Sequence, residues 1–406
     1  MRAFKTDYPQ GLHLVAKPTF SFSPKPEIYA ANPVPSLSDW EQLWAAWDDV
    51  TLKMIPKEEL LSKPIKLRNV CLFYIGHIPT FLDIHLTRAT AGSPTEPAFF
   101  QRIFERGIDP DVDNPEVCHD HSEIPDTWPS LEDILSYQEA VRERTGAYYA
   151  SGAAEKNDRI SEALWLAFEH EAMHLETLLY MLVQNEKILP PPGTIAPDFE
   201  ALSKLSERLS VDNQWFTIPE SNVHTGLEAT DGEAGPGRYF GWDNEKPRRS
   251  LHVKSFRTRA RPITNGEYAQ FLAETGKTAI PASWFEMASS EQKNGFMAKR
   301  DSLVDGRTNG SSHLNYHLAN GKYVRTVYGN VPLHHAMSWP VMASYDELAS
   351  CAQWMGGRIP TLEEARSIYN YVEHGKFQAF DKALGHTIPA VNGWAHSSVT
   401  LESHTS

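Results

Sequence analysis

Apolar residues recur at helical spacing in four stretches of the first half of the chain, and the second half breaks into short apolar runs between turn residues. Residues 1–37 are proline-rich with little periodicity and read as an extended arm. Ser36 or Ser38 can cap the first helix, where Trp40, Leu43, Trp44 and Trp47 follow one another at helical spacing. The second stretch, Arg68 to Ala91, carries Phe73, Phe81, Ile84 and Leu86 on one side, and Pro79 inside it predicts a kink or a late start. Residues 94–129 are punctuated by Pro, Gly and Asp and read as a long loop. Ser130 and Asp133 then form a short capping box ahead of Ile134, Tyr137, Val141 and Tyr148. The fourth stretch runs from about Asp158 to Gln184. Together these predict an antiparallel helical bundle over residues ~38–190, ended by ILPPPG at 188–193 and followed by a linker to about Ser210.

Beyond residue 206 the period shortens. WFTIPE, GRYFGWDNEKP and RRSLHVKSFRTR read as short strands and turns, interrupted by helices after Thr264, over Tyr345 to Trp354, and after a Thr361/Glu364 capping box. The expected fold class is therefore α + (α+β), a bundle at 38–205 followed by a mixed domain at 206–406.

Composition narrows the function classes. Of 406 residues, 38 are Lys or Arg and 52 are Asp or Glu, a net charge of −14, which argues against nucleic acid or an anionic membrane as partner. No stretch approaches the roughly 20 apolar residues of a membrane span. The three cysteines, Cys71, Cys118 and Cys351, are too few and too scattered for a disulfide framework or a cysteine zinc site, which fits a reducing compartment such as the cytoplasm.

The sharpest local feature is His170-Glu-Ala-Met-His174 in the fourth stretch. Residues i and i+4 share a helical face, so two imidazoles there can hold one ion; the plain alternative is two helix histidines bonded to nearby carbonyls. The spacing is one residue longer than in H-E-x-x-H. Trp165, Phe168, Leu178 and Leu179 imply burial, where imidazole nitrogens need partners, and a metal supplies one. His77 in the other strongly apolar stretch is the best third ligand, with His85 its rival. Glu176 lies off the shared face and is expected to orient a ligand, most plausibly His77, through a hydrogen bond. His119 and His121 form a weaker candidate pair in a polar loop. Three neutral histidines with open positions suit Fe²⁺ or Zn²⁺, and spacing does not choose between them.

With these pieces assembled, a resemblance emerges. HEAMHLE at 170–176 with His77 resembles the three-histidine site of DinB-like bundles. WFTIPE at 215–220, DNEKPRR at 243–249, FRTRARPITNGEYAQFL at 256–272 and YDELASCAQWMGGRIPTLEEA at 345–365 resemble the sulfatase-modifying (formylglycine-generating) domain, a C-type-lectin-like fold. Their order behind a histidine bundle is similar to that of the iron-dependent sulfoxide synthases of ergothioneine biosynthesis. The wording of GHIPTFLDIHLTRAT, FERGIDPDVDNP and HSEIPDTWPSLEDI is most similar to the fungal form.

The resemblance implies an Fe(II)- and O₂-dependent oxidoreductase that joins a thiol to the imidazole carbon of hercynine (trimethylhistidine), leaving a sulfoxide. Around Asp126 and Trp128 the arginine expected of γ-glutamylcysteine users is missing, which implies cysteine as the thiol. Met173 stands where related enzymes often carry Gln, so no residue is assigned to the substrate imidazole. The resemblance also implies a chain without the family's leading methyltransferase and with a truncated second domain. The ending NGWAHSSVTLESHTS lacks the family's tyrosine and thiol-binding Asp and Arg, so the catalytic residues stay unassigned and turnover by this chain alone is expected to be low. Two other readings compete: a noncatalytic homologue that binds metal or a partner, and a DinB-type thiol transferase. Phe240, Trp242, Trp284 and Trp339 are candidates for a trimethylammonium cage or, more commonly, for core.

Overall fold

The computed structural model describes residues 34–65, 68–105, 123–210, 212–226, 242, 247–287 and 319–373, together with short strands at 109–110, 118–119 and 401–402. The arm, up to residue 33, lies outside these described residues, as do His121 and Phe240. The chain divides into two compact units. One runs to Ile195 and takes in Trp242; the other holds Ala196–Gly226 and the residues from Pro247 onward.

The first unit is helical. Helix α1 (Leu37–Asp48) starts at a Ser36/Asp39 capping box and buries Trp40, Leu43 and Trp47; a π-helical turn, Asp49–Met54, extends it. Helix α2 (Cys71–Thr90) continues across Pro79. An interior proline costs roughly 3 kcal/mol. Burial of Phe73, Ile75, Leu82 and Leu86 outweighs this, at ~1.5–3 kcal/mol for each buried side chain. The long loop expected at 94–129 holds a short helix, α3 (Phe100–Phe104), which buries Phe100, Ile103 and Phe104 at i, i+3 and i+4. The strands β1 (Asp109–Pro110) and β2 (Cys118–His119) pair antiparallel within the same segment. Helix α4 (Leu131–Ala150) is capped by Ser130, whose side chain accepts from the Asp133 N–H. A short helix, α5 (Ala153–Lys156), leads to α6 (Asp158–Leu182), capped by Asn157. Helices α1, α2, α4 and α6 form the bundle.

The linker expected up to Ser210 instead contains helix α7 (Phe199–Arg208). Asp198 accepts from the Ala201 N–H, and Lys204 pairs with Glu200 one turn away, so a polar sequence carries its own helix signals.

In the second unit, β3 (Trp215–Ile218) pairs with β6 (Phe256–Arg259), and β4 (Ser221–Thr225) with β5 (Arg249–Val253), all antiparallel. Helix α8 (Asn265–Thr275) follows a Thr264/Glu267 capping box. Strands β7 (Phe285–Glu286), β8 (Lys322–Thr326) and β9 (Gly329–Pro332) make a three-stranded sheet. Helix α9 (Tyr345–Trp354), strand β10 (Gly357–Arg358) and helix α10 (Leu362–Glu373) come next, and β11 (Leu401–Glu402) lies between β10 and β6 in a four-stranded sheet. Tyr268, Phe271, Leu272, Trp284 and Leu348 sit in the main core of this unit. Trp284 is 2% exposed and donates to Asn265, the core outcome; Trp339 packs partly buried against Phe199. Small sheets and helices behind a helical bundle make the chain α + (α+β). Among the described residues no helix is long and apolar enough to cross a membrane.

Candidate metal centre

Helix α6 presents His170 and His174 on one face, and α2 brings His77 against them. The three ring centroids lie 4.4–5.0 Å apart, and one donor nitrogen from each ring lies within 4.8 Å of the others. His77 Nε2 and His170 Nε2 approach to 3.3 Å. Apolar rings wall the group: Phe81 stacks on His170 at 3.7 Å and Phe73 on His77 at 5.2 Å.

Burial sets the protonation. Desolvation pulls His77 down to about 4, opposed in part by its hydrogen bond to the Phe104 carbonyl. It pulls His174 down to about 3, reinforced by His77 and Arg68. His170 falls well below its ordinary value, again through desolvation first and its neighbouring histidines second. All three rings are thus neutral at pH 7 and offer lone pairs. His77 Nδ1 lies 2.6 Å from the Phe104 carbonyl oxygen, and only an N–H can donate there. That bond fixes the tautomer and leaves the Nε2 lone pair facing His170. The Nδ1 atoms of His170 and His174 are buried without a hydrogen-bond partner among the described residues.

Phe104, and not Glu176, meets the second nitrogen of His77, because the short α3 helix lays its last carbonyl against α2. Glu176 is half-buried, with no hydrogen bond to the three rings among the described residues. His85 stands apart, its ring against Phe81 at 4.3 Å. Glu171, beside His170, is 3% exposed and burial pushes its carboxyl up to about 8. Met173 is exposed. A cavity of about 830 Å³ opens past Phe81, lined also by His85, Arg88, Arg159, Trp165 and Trp242. Trp242 lies 6.5 Å from His170, ring to ring. The carbonyl role of Phe104 escaped the sequence reading because a backbone oxygen has no residue signature; the i, i+3, i+4 apolar pattern of FQRIF was the available hint.

Residues 39–178 match the DinB superfamily, and residues 207–367 match the sulfatase-modifying factor enzyme 1-like domain. The chain joins a DinB superfamily domain to a sulfatase-modifying factor enzyme 1-like domain. It is 52% identical over 383 residues to ergothioneine biosynthesis protein 1 of Neurospora crassa, covering 94% of this chain and 44% of that protein. The Schizosaccharomyces pombe protein of the same name is 33% identical over 84% of this chain and 42% of its own length. A hercynine oxygenase of Mycobacterium tuberculosis is 29% identical over 144 residues, 35% of this chain and 28% of that protein. The chain thus spans less than half the length of the relatives it matches. The three histidines all lie inside the DinB match.

Proposed function

We propose that this chain belongs to a non-haem iron, O₂-dependent sulfoxide synthase that joins cysteine to hercynine in ergothioneine biosynthesis. The observation that carries the reading is the cluster of three neutral histidines from two helices, two of them buried and His174 half-buried, in a chain similar to two ergothioneine biosynthesis proteins and one hercynine oxygenase. The donor set fits a divalent ion: buried imidazole nitrogens without protein partners need a ligand, and neutral nitrogen donors suit Fe²⁺, with Zn²⁺ the alternative. His77, His170 and His174 would hold it. Iron, when bound, supplies the one-electron chemistry with O₂ that the side chains lack.

The overall change balances as thiol plus imidazole C–H plus O₂ giving sulfoxide plus water. The two hydrogens leave with one oxygen atom, and the other oxygen stays on sulfur. What the chain's own residues contribute is placement. Phe104 fixes the ring of His77, and Phe81 and Phe73 stack on His170 and His77. The cavity past Phe81 has room for a small molecule against Phe81 and Trp242, both ring neighbours of His170. The reading makes the partners small molecules and the compartment the cytoplasm, in keeping with the net charge of −14 and the free, buried thiols of Cys71 and Cys351.

The test is anaerobic reconstitution of the 406-residue chain with Fe(II), hercynine and cysteine, followed by air. Iron bound in a one-to-one ratio and lost in His170→Ala supports the metal assignment, and hercynylcysteine sulfoxide in the product supports the reaction. Iron binding indifferent to all three histidines would overturn the reading.

A further inference from the structure

Asp83 has no exposed surface, yet it is a carboxylate inside an apolar helix. A buried charge is tolerable only when surrounded by donors. Asp83 has five. The Thr95 N–H (3.1 Å) and hydroxyl (2.6 Å) come from the loop after α2. The Gln101 amide (2.7 Å) comes from α3, and the Tyr137 hydroxyl (3.1 Å) and the Arg144 guanidinium (2.8 Å) come from α4.

One of these donors reaches the metal centre. Gln101 stands one helical turn before Phe104, whose carbonyl orients His77. The same short helix is seated a second time: the Phe104 ring lies against Gly76 so closely that a Cβ there would sit 2.5 Å from the ring carbons. Helix α3 is therefore pinned to α2 at two points, Gly76 against Phe104 and Asp83 against Gln101. Between them the chain delivers a single carbonyl to a single histidine nitrogen.

We propose that Asp83 and Gln101 are positioning residues of the metal centre: their hydrogen bond holds α3 in the place from which the Phe104 carbonyl fixes the ring and tautomer of His77. The inference rests on the reading that His77, His170 and His174 bind a metal. Partners that orient a metal histidine typically matter by ~10–100-fold in affinity. The contribution of the pair here is indirect, acting through the backbone of α3, which is why neither residue touches the histidines.

The experiment is a titration of the metal-free chain with Co(II), followed through its visible absorption, in the wild type and in Gln101→Met, Gln101→Lys, Tyr137→Phe and His77→Ala. Gln101→Met keeps the length of the side chain and removes the donor; Gln101→Lys restores a donor. Weakening of Co(II) binding by ~10-fold or more in Gln101→Met, with recovery in Gln101→Lys, is the expected result. Histidine-selective ¹⁵N spectra of the metal-free proteins supply a second readout. His77 should carry its proton on Nδ1 in the wild type and show a mixture of tautomers in Gln101→Met. Tyr137→Phe removes a different donor from Asp83 and is the control for general loosening. Unchanged affinity and tautomer in Gln101→Met would overturn the proposal, as would an equal loss in Tyr137→Phe. Should the wild type fail to bind Co(II), or His77→Ala bind it equally well, the metal reading itself fails.

Discussion

Gly76→Ala puts the packing of α3 against α2 to a test of sign. In a helix interior Ala is favoured over Gly by about 0.8–1 kcal/mol, so propensity alone makes this variant more stable. The structure argues the opposite. The new methyl would lie 2.5 Å from two carbons of the Phe104 ring and 2.7 Å from a third. Ordinary carbon contacts are ~3.5–4.0 Å, so the ring must retreat by about 1 Å. Phe104 has no exposed surface, and Phe73, Phe100 and Trp128 pack around it with centroids 6.0, 5.3 and 5.6 Å away. Overpacking of such a site costs about 1–3 kcal/mol, and the enclosed ring places this case at the upper end. Subtracting the helix gain leaves a net loss of ~2 kcal/mol, a fall of about 4–8 °C in the melting temperature of a unit of this size. Thermal unfolding followed by circular dichroism measures it. Phe104→Leu, which keeps the carbonyl but shortens the side chain, should restore part of the loss in the double variant. A Gly76→Ala protein that melts at or above the wild-type temperature would show that the close approach is not a constraint.

Other substitutions test separate parts of the fold. Tyr137→Phe removes a buried hydrogen bond to the Asp83 carboxylate and should lower stability by ~1.5–3 kcal/mol, read from urea denaturation. Thr264→Ala breaks the capping box with Glu267 at the start of α8 and should cost ~1 kcal/mol by the same assay. Burial pushes the Cys71 thiol up to about 11 and the Cys351 thiol up to about 12, so both stay protonated at pH 8 and ionise only as the pH climbs towards those values. In the folded chain both should alkylate on the order of a hundredfold more slowly than a free cysteine at pH 8, as read by mass spectrometry after iodoacetamide; rapid labelling of either would contradict its burial.

The parts of this structure written in local chemistry were legible from the sequence. Ser36, Ser130, Thr264 and Thr361 each announce a helix start because a cap acts within three residues, and the structure places helices after all four. His170 and His174 were legible as a pair because helical periodicity alone puts them on one face. Helix α7 was missed although Phe199, Leu202 and Leu205 recur at helical spacing: the stripe is short, follows ILPPPG, and buries no residue fully, so it reads as linker. Asp83 was missed for a different reason. Its partners at Thr95, Gln101, Tyr137 and Arg144 converge only after the helices dock, and a single Asp in an apolar run gives no sign of five donors. The orienting role expected of Glu176 went to a backbone oxygen for the same cause: tertiary contact, rather than side-chain type, chose the partner.

His77 and His170 stand 93 positions apart in the chain. An ion gripping both would close a loop of that length, much as a disulfide does. For a loop near 100 residues the chain-entropy relation gives about 4.7 kcal/mol taken from the unfolded state. A chelator would then act as a reductant does on a cystine, opening a clasp between α2 and α6 and leaving the free chain with its full conformational range. Metal supply would thereby set how long the bundle survives proteolysis, in a protein whose buried Cys71 and Cys351 are free thiols.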